Sequence, residues 1–264
     1  MESDPHAPLW RHLTLRCYRE LNDFLPVPSR ERCFQFRFSG QPSLKSVLEG
    51  AGVPQAEVDL VLVDGQSTTL DHPITGGERL EVFPLLEPLE IDSFTPLRPR
   101  PLPDAFILDV NLGRLARLMR LSGLDCLYRR DFDDEEIVRL ACEHGRGILT
   151  RDKGILHRGA VIHGYWVRNT DPERQLLEVI HHYALEGRLS FFSRCIRCNG
   201  LLHTISRDEV RDRVPAGAWR EHRHFFVCDD CGQVYWRGSH HRAMTRTLTR
   251  LGLLSKTQGP ETGP

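Results

Sequence analysis

Residues 106–123 read FILDVNLGRLARLMRLSG, and this stretch decides the fold of the larger part of the chain. Three apolar residues close on an acid, Asp109, and a helical pattern follows at once. Leu112, Leu115, Ala116 and Met119 recur at helical spacing on one face, and Gly123 supplies the stop. The same rhythm continues downstream. GLDCLY (123–128) reads as a short strand, DDEEIVRLACEHG (133–145) as a helix, GRGILT (145–150) and AVIHGYWV (160–167) as strands. Thr170-Asp171-Pro172 caps a last helix, PERQLLEVIHHYALEG, with proline in its first turn. Strands separated by single helices imply an α/β fold, a parallel sheet joined by right-handed crossovers.

The acids are the informative residues within this pattern. Asp109 ends FILD, and Asp152 follows the apolar run GILT as TRD. A buried strand gains nothing in packing from an acid at its end, and open parallel sheets present their ligands at the carboxyl edge. Asp133-Asp134-Glu135-Glu136 opens the helix between the two strands. Asp133 and Glu136 have the spacing of a capping box, which leaves Asp134 in the first turn facing the sheet edge. Asp109 has a competing role as a helix cap, although Asn111 is available for that. Gathered carboxylates raise one another's pKa unless a cation neutralises them, and a hard divalent ion, magnesium or manganese, suits oxygen ligands. Arg114, Arg117 and Arg120 fall three apart on the helix after Asp109. They form a solvated face, or Arg114 and Arg117 hold substrate phosphates, a role that Lys153 beside Asp152 shares. Nucleophile elbows and phosphate-binding glycine loops are missing from the sequence, which argues against acyl transfer and P-loop nucleotide hydrolysis.

Upstream, FTPLRPRPLPDA (94–105) carries four prolines at close intervals and reads as a semi-rigid linker that divides the chain cleanly. Before it, HLTLRCYREL and CFQFRF alternate like strands. SLKSVLEGAG has helical spacing with Ser43 as N-cap, VDLVLVDGQ is a strand entering an Asp64-Gly65 turn, and ERLEVFPLL is a final strand. This order over 10–93 resembles the ubiquitin-like β-grasp fold and the sulfur carriers. Carriers need a free terminal Gly-Gly, whereas Gly76-Gly77 here is internal, so a protein-docking module is the expectation. Residues 1–96 hold 8 basic and 15 acidic side chains, a balance of −7, and 97–264 hold 27 and 21, a balance of +6. A basic C-terminal part suits a polyanion. No run is apolar enough to span a bilayer and the start carries no secretion signal, which points to the cytoplasm.

Cys195-Ile-Arg-Cys198 and Cys228-Asp-Asp-Cys231 are two identical knuckles, the spacing of a four-thiolate structural zinc site. They place a zinc ribbon over 190–250, followed by a polar tail, 251–264, expected to be disordered. Arg194, Arg197, Arg237 and Arg242 beside Phe192, Tyr235 and Trp236 suit RNA, with bases stacked on the aromatics and phosphates on the arginines. The alternative, favoured for most of the aromatics, reads Phe225, Phe226, Tyr235 and Trp236 as ribbon core. His240 and His241 read as surface contacts or a replacement zinc ligand. Cys17, Cys33, Cys126 and Cys142 sit singly in apolar runs and read as core.

Asp109, the Asp134-Glu135-Glu136-Ile137 helix start and Thr150-Arg151-Asp152 together resemble the PIN-type ribonucleases. DVNLGRLARLMRLSGLD, DDEEIV, ILTRDKGIL, CxxCN and CDDCGQVYWRGSH, over 106–243, are similar to the Mut7-C family. The resemblance implies a PIN-like nuclease domain (106–189) that cleaves RNA with a magnesium or manganese ion held by Asp109, Asp134 and Asp152. The substrate would be RNA, with tRNA or another structured RNA as candidates. The fuller PIN pattern adds a carboxylate before the DxxI helix. Only Asp125, read as part of a turn, and Asp131 lie there, which leaves a non-catalytic RNA-binding adaptor as the alternative.

Overall fold

A computed structural model of the chain describes residues 9–85 and 94–254. The end of the first module, 86–93, and most of the expected disordered tail, from 255 onward, lie outside the described residues. The chain divides into two compact units, one formed by 1–102 with 152–166 and the other by 103–151 with 167–264. The division is therefore not the single cut that the proline-rich segment suggested.

In the first unit, β1 (Trp10–Cys17) and β2 (Phe34–Ser39) are followed by helix α1 (Leu44–Gly50), then β3 (Leu60–Val63), β4 (Gln66–Ser67) and β5 (Arg79–Phe83). The sheet order is β2-β1-β5-β3-β4, with β1 and β5 parallel and the other neighbours antiparallel. This is the expected β-grasp arrangement. Ser43 caps α1 by accepting the Ser46 N–H, and Leu44, Val47 and Leu48 are buried against Leu13, Leu15, Leu80 and Val82. Asp64 and Gly65, both at positive φ (50° and 84°), make the two-residue turn between β3 and β4.

Part of the proline-rich segment is anchored to this unit. Leu97 N–H donates to the Asp59 carbonyl at 2.7 Å, Arg98 is buried and pairs with Asp59 at 3.6 Å, and Arg100 reaches Asp59 Oδ2 at 2.8 Å. A buried carboxylate needs a cation, and two arginines meet that need here. The expected semi-rigid linker is thus pinned to this unit along at least these residues.

The second unit begins with β6 (Ala105–Leu108), α2 (Gly113–Leu121), β7 (Asp125–Leu127), α3 (Asp134–His144) and β8 (Gly147–Thr150). β6 pairs in parallel with β7 on one side and β8 on the other, with Leu108 opposite Leu149. Leu112, Leu115, Ala116 and Met119, the stripe read from the sequence, are all buried. The intervening residues 152–166, with α4 (Lys153–Leu156) and β9 (Gly164–Trp166), belong to the first unit. The chain returns to the second unit with α5 (Pro172–His182), which packs on α2. The ribbon is β10 (Leu202–Ile205), α6 (Ala216–Glu221), β11 (Phe225–Cys228) and β12 (Val234–Trp236), in sheet order β10-β11-β12, and α7 (Ser239–Arg250) closes it. Helices α6 and α7 are additions to the sequence reading.

Two of the four single cysteines depart from expectation: Cys17 and Cys126 are buried, whereas Cys33 and Cys142 are exposed. Asp125 is not in a turn but starts the edge strand β7.

Candidate functional site

Because β6 and β8 are parallel neighbours, their C-terminal residues share one edge of the sheet. Asp109 follows β6 directly and is 3% exposed. Its Oδ1 accepts the Asn111 N–H at 2.7 Å, and its Oδ2 accepts the Thr150 hydroxyl at 2.5 Å and the Arg151 N–H at 2.6 Å. A carboxylate offers about four lone-pair sites, so three donors leave one, on Oδ1, for a cation. Asp109 therefore caps the turn over 110–112 itself, the role the sequence reading had offered to Asn111. Leaving a strand in extended conformation, its short side chain reaches back to the backbone two residues on.

Asp133 caps α3 as expected, accepting the Glu136 N–H at 2.7 Å. That places Asp134 in the first helical turn, half-buried, on a helix packed against β6 and β8. Asp152 is exposed and accepts the Gly154 N–H at 2.7 Å as the N-cap of α4, a structural role not foreseen. Asp109 and Asp134 fall in the second unit, and Asp152 opens the returning segment of the first. Lys153 departs from its expected role on substrate phosphates. Its ammonium donates to the Asp23 carbonyl at 2.8 Å and lies 3.9 Å from the Trp166 ring centre and 4.9 Å from that of Phe24. A cation over two aromatic faces is held in place by them.

Within the second unit a cleft of about 1060 Å³ is lined by six arginines: Arg114, Arg117, Arg120, Arg130, Arg151 and Arg197. Asn111, Gly113, Tyr128, Thr170 and Gln175 complete much of its wall, and no acid is among the lining residues described. Asn111 and Arg151, whose backbone N–H groups hold the Asp109 carboxylate, both line it. Arg114, Arg117, Arg130 and Arg197 are exposed, and the described residues give none of them an ion pair. Arg120 differs. It is 3% exposed and donates to the carbonyls of Cys126 (3.1 Å) and Arg197 (2.9 Å). Arg114 and Arg117 are exposed and line the cleft, whereas Arg120 departs from the expected solvated face, because it turns inward to satisfy orphan carbonyls.

The Sγ atoms of Cys195, Cys198, Cys228 and Cys231 all lie within 4.8 Å of one another, with Cys195–Cys231 at 3.7 Å and Cys198–Cys228 at 3.4 Å. A tetrahedron of Zn–S bonds near 2.3 Å needs sulfur separations of about 3.8 Å, so the donor set and its spacing fit zinc. Burial raises the Cys198 thiol pKa. Burial also pushes Cys195 upward, but the Tyr235 hydroxyl, 3.0 Å from its sulfur, and the backbone N–H groups of Cys198 and Arg197 together outweigh it and lower the pKa to about 7. Gly200 has no room for a side chain, since a Cβ there would sit 2.5 Å from Asp230 Oδ2 and 2.8 Å from Cys228 Sγ. The aromatics read as ribbon core behave so: Phe225 and Trp236 pack around Val210 and Val234, and Phe226 and Tyr235 pack against Cys195 and Cys228. His241 stacks on Phe192 with ring centres 4.2 Å apart and lies outside the cysteine group.

The first knuckle is tied to the parallel sheet. Asn199, at φ 82°, accepts the Cys126 N–H and donates to Asp125 Oδ1, each at 3.0 Å. Arg146 (2.5 Å) and Arg194 (3.2 Å) pair with the same carboxylate. Burial alone would raise the Asp125 pKa, but Arg146 and Asn199 reverse the sign and lower it. Arg194 is thereby a structural residue rather than the expected RNA contact.

The sequence model of the Mut7-C RNAse domain matches residues 104–248, and that of the Mut7-C ubiquitin domain matches 11–90. The chain belongs to the Mut7-C RNAse domain family. The match runs from the residue before β6 into α7, so one family unit contains the parallel sheet, the arginine cleft and all four cysteines. Membership assigns the Mut7-C chain a ribonuclease-type function. Among solved structures, the H. volcanii small archaeal modifier protein 1 is similar at 16% identity, over 29% of this chain and 99% of that one, with a TM-score of 0.24. A comparison with curated proteins finds no match. No helix among the described residues is long and apolar enough to cross a membrane. The sequence reading of this Mut7-C chain missed Arg130 and Arg151, which stand in no periodic pattern. It also missed the tie through Asn199, whose only signal was its place directly after the first knuckle.

Proposed function

We propose that this Mut7-C protein is a divalent-metal-dependent ribonuclease that hydrolyses RNA phosphodiesters at the carboxyl edge of its parallel sheet. Asp109, Asp134 and Asp152 would hold magnesium or manganese, and Cys195, Cys198, Cys228 and Cys231 a structural zinc. The observation that carries the reading is the acid-free arginine cleft whose lining residues Asn111 and Arg151 hold the Asp109 carboxylate. A polyanion drawn into the cleft is brought beside a buried acid with one lone pair to spare. A divalent cation there would supply Lewis acidity for attack of water on phosphorus. Arg114 and Arg117 neutralise the substrate backbone, and the half-buried Asp134 contributes oxygen ligands. The β-grasp unit serves as a protein-docking module, and the thiol ligands suit the reducing cytoplasm.

Asp152→Asn is the cleanest test. Asparagine caps a helix as well as aspartate does, so the substitution removes charge and leaves the cap of α4 in place. Cleavage of RNA by the purified, metal-replete protein should fall by about 100-fold or more, by analogy with loss of a strong electrostatic contact. Unchanged cleavage refutes the assignment. A second reading, an RNA-binding adaptor without turnover, draws on the structural commitments of Asp109, Asp125 and Asp152. RNA binding without any metal-stimulated cleavage would select it.

A further inference from the structure

We infer that the arginine cleft binds the RNA phosphodiester backbone independently of base sequence, and that the first zinc knuckle is one of its walls. The inference rests on the ribonuclease reading for the identity of the polyanion. Its geometry stands on the second unit alone.

Four exposed arginines, Arg114, Arg117, Arg130 and Arg197, face one cleft with no carboxylate partner among the described residues. Like charges gathered around a shared space repel, and a fold keeps them together at low cost only when an anion occupies that space. Helices α2 and α5 begin at the cleft, through Gly113 and Pro172, and add the partial positive charge of their first turns. Asp171, which caps α5, is spent on the N–H groups of Glu173 and Arg174. The volume, about 1060 Å³, lies at the top of the roughly 300–1,000 Å³ range of small-molecule pockets, and its lining is cationic rather than apolar. That combination fits several phosphates of a chain better than one compact ligand.

The lining also says what is read. Tyr128 is its one aromatic among the described residues, and the Tyr128 hydroxyl is committed to the Val110 carbonyl at 3.1 Å. Base-reading surfaces stack successive bases on several aromatic faces. One ring among six guanidinium groups favours the backbone.

Arg197 lies between two zinc ligands, Cys195 and Cys198, and lines the cleft together with Ile196. Arg120 braces this knuckle from behind, binding the Ile196 and Arg197 carbonyls on one side and the Cys126 carbonyl on the other. It is a positioning residue, since its guanidinium is consumed by the protein. The knuckle thus carries a substrate contact and is more than a stabilising clip.

The test uses the full-length zinc-loaded protein and a short fluorescein-labelled single-stranded RNA, in two unrelated sequences, without added magnesium or manganese. Fluorescence anisotropy gives Kd as a function of salt. For single strands log K falls with log salt at about 0.7 per phosphate contact. Arg114→Gln/Arg117→Gln should weaken binding and reduce the slope by about 1.4, and Arg197→Gln should reduce it by about 0.7. Both RNAs should respond equally. Arg114→Lys/Arg117→Lys should recover most of the slope, which a folding defect would not allow. Arg223→Gln/Arg246→Gln, an equal charge change on exposed residues away from the cleft, is the control. The inference is overturned if the control loses as much slope as the cleft variants. It is equally overturned if the Arg197 variant binds like the wild type, or if the two RNAs differ widely in Kd. Because the assay reads binding, a protein that binds through the cleft but never cleaves removes only the ribonuclease reading. Cleavage with unaffected cleft variants removes only the inference.

Discussion

Thr150, the last residue of β8, donates its hydroxyl to Oδ2 of Asp109 across 2.5 Å, so a neutral side chain on one strand fixes the acid that follows its neighbour. Both are buried, and Asp109 Oδ2 has just two protein donors, this hydroxyl and the Arg151 N–H, among the described residues. Thr150→Val keeps the shape and deletes one donor. It should lower stability by about 1–3 kcal/mol in urea unfolding, the usual loss for a buried charged group deprived of a hydrogen bond. Asp109→Asn should lower it further, because either amide orientation sets an N–H group against a backbone N–H. If Asp109→Asn unfolds at the wild-type urea concentration, the hydrogen-bond pattern assigned to Asp109 is wrong. This is also why Asp109 is a poor residue on which to test catalysis alone.

The tie between the first zinc knuckle and the sheet predicts a coupled loss. Asn199 uses both ends of its amide, on Cys126 and on Asp125, in a left-handed backbone conformation that asparagine tolerates. Asn199→Ala should lower stability by about 2–3 kcal/mol, from one buried and one part-buried hydrogen bond and the backbone strain. Asn199→Asp should do worse, since it sets a second carboxylate beside Asp125. Release of zinc loaded on the four-cysteine cluster to a chromogenic chelator should speed up in both, as Asn199 directly follows Cys198 of that cluster. Wild-type release rates would show that knuckle and sheet are independent.

Much of this was legible in the residues themselves. The apolar run Phe106–Leu108 located β6 and the helical patterns located α2 and α3, because a strand buried on both faces and a helix buried on one stripe each leave their pattern in the sequence. The paired CxxC motifs located the metal group, because four thiolates at that spacing have few other uses. The roles that escaped were set by tertiary partners. Arg120 has the same spacing as Arg114 and Arg117 and yet turns inward, because unpaired carbonyls of β7 and of the knuckle lie on its side. Lys153 stands beside Asp152 in sequence but is taken by Phe24 and Trp166. Asp125 looked like a turn residue, and only the convergence of Arg146, Arg194 and Asn199 explains an acid at the start of an edge strand.

Two glycines of the ribbon should respond oppositely to the same methyl group. At Gly200 the added Cβ meets Asp230 Oδ2 at 2.5 Å and Cys228 Sγ at 2.8 Å, so the second knuckle must shift. At Gly217, inside α6, nothing lies within 4 Å. Gly200→Ala should weaken zinc binding in a chelator competition and lower the melting temperature. Gly217→Ala should raise stability by about 0.5–1 kcal/mol through helix propensity. Equal effects of the two substitutions would contradict the packing described around Cys228.

His163 gives the first unit an acid sensitivity of definite sign. Burial, then the charges of Arg98 and Arg100, outweigh Asp59 and hold its pKa down from 6.5 to about 4. Its Nδ1 is buried with no hydrogen-bond partner among the described residues. The unfolded chain therefore binds this proton more readily than the folded one, so stability rises with pH across the interval. The contribution is fully present above pH 6.5, declines as pH falls, and is lost below about 4. Its size is about 3 kcal/mol at most, reduced by the solvent contact that His163 retains. His163→Gln cannot titrate, so its urea midpoint should change less than the wild type's between these pH values. Parallel curves would show that His163 is protonated in the folded protein, and a histidine ring titration followed by NMR would then find its pKa near 6.5.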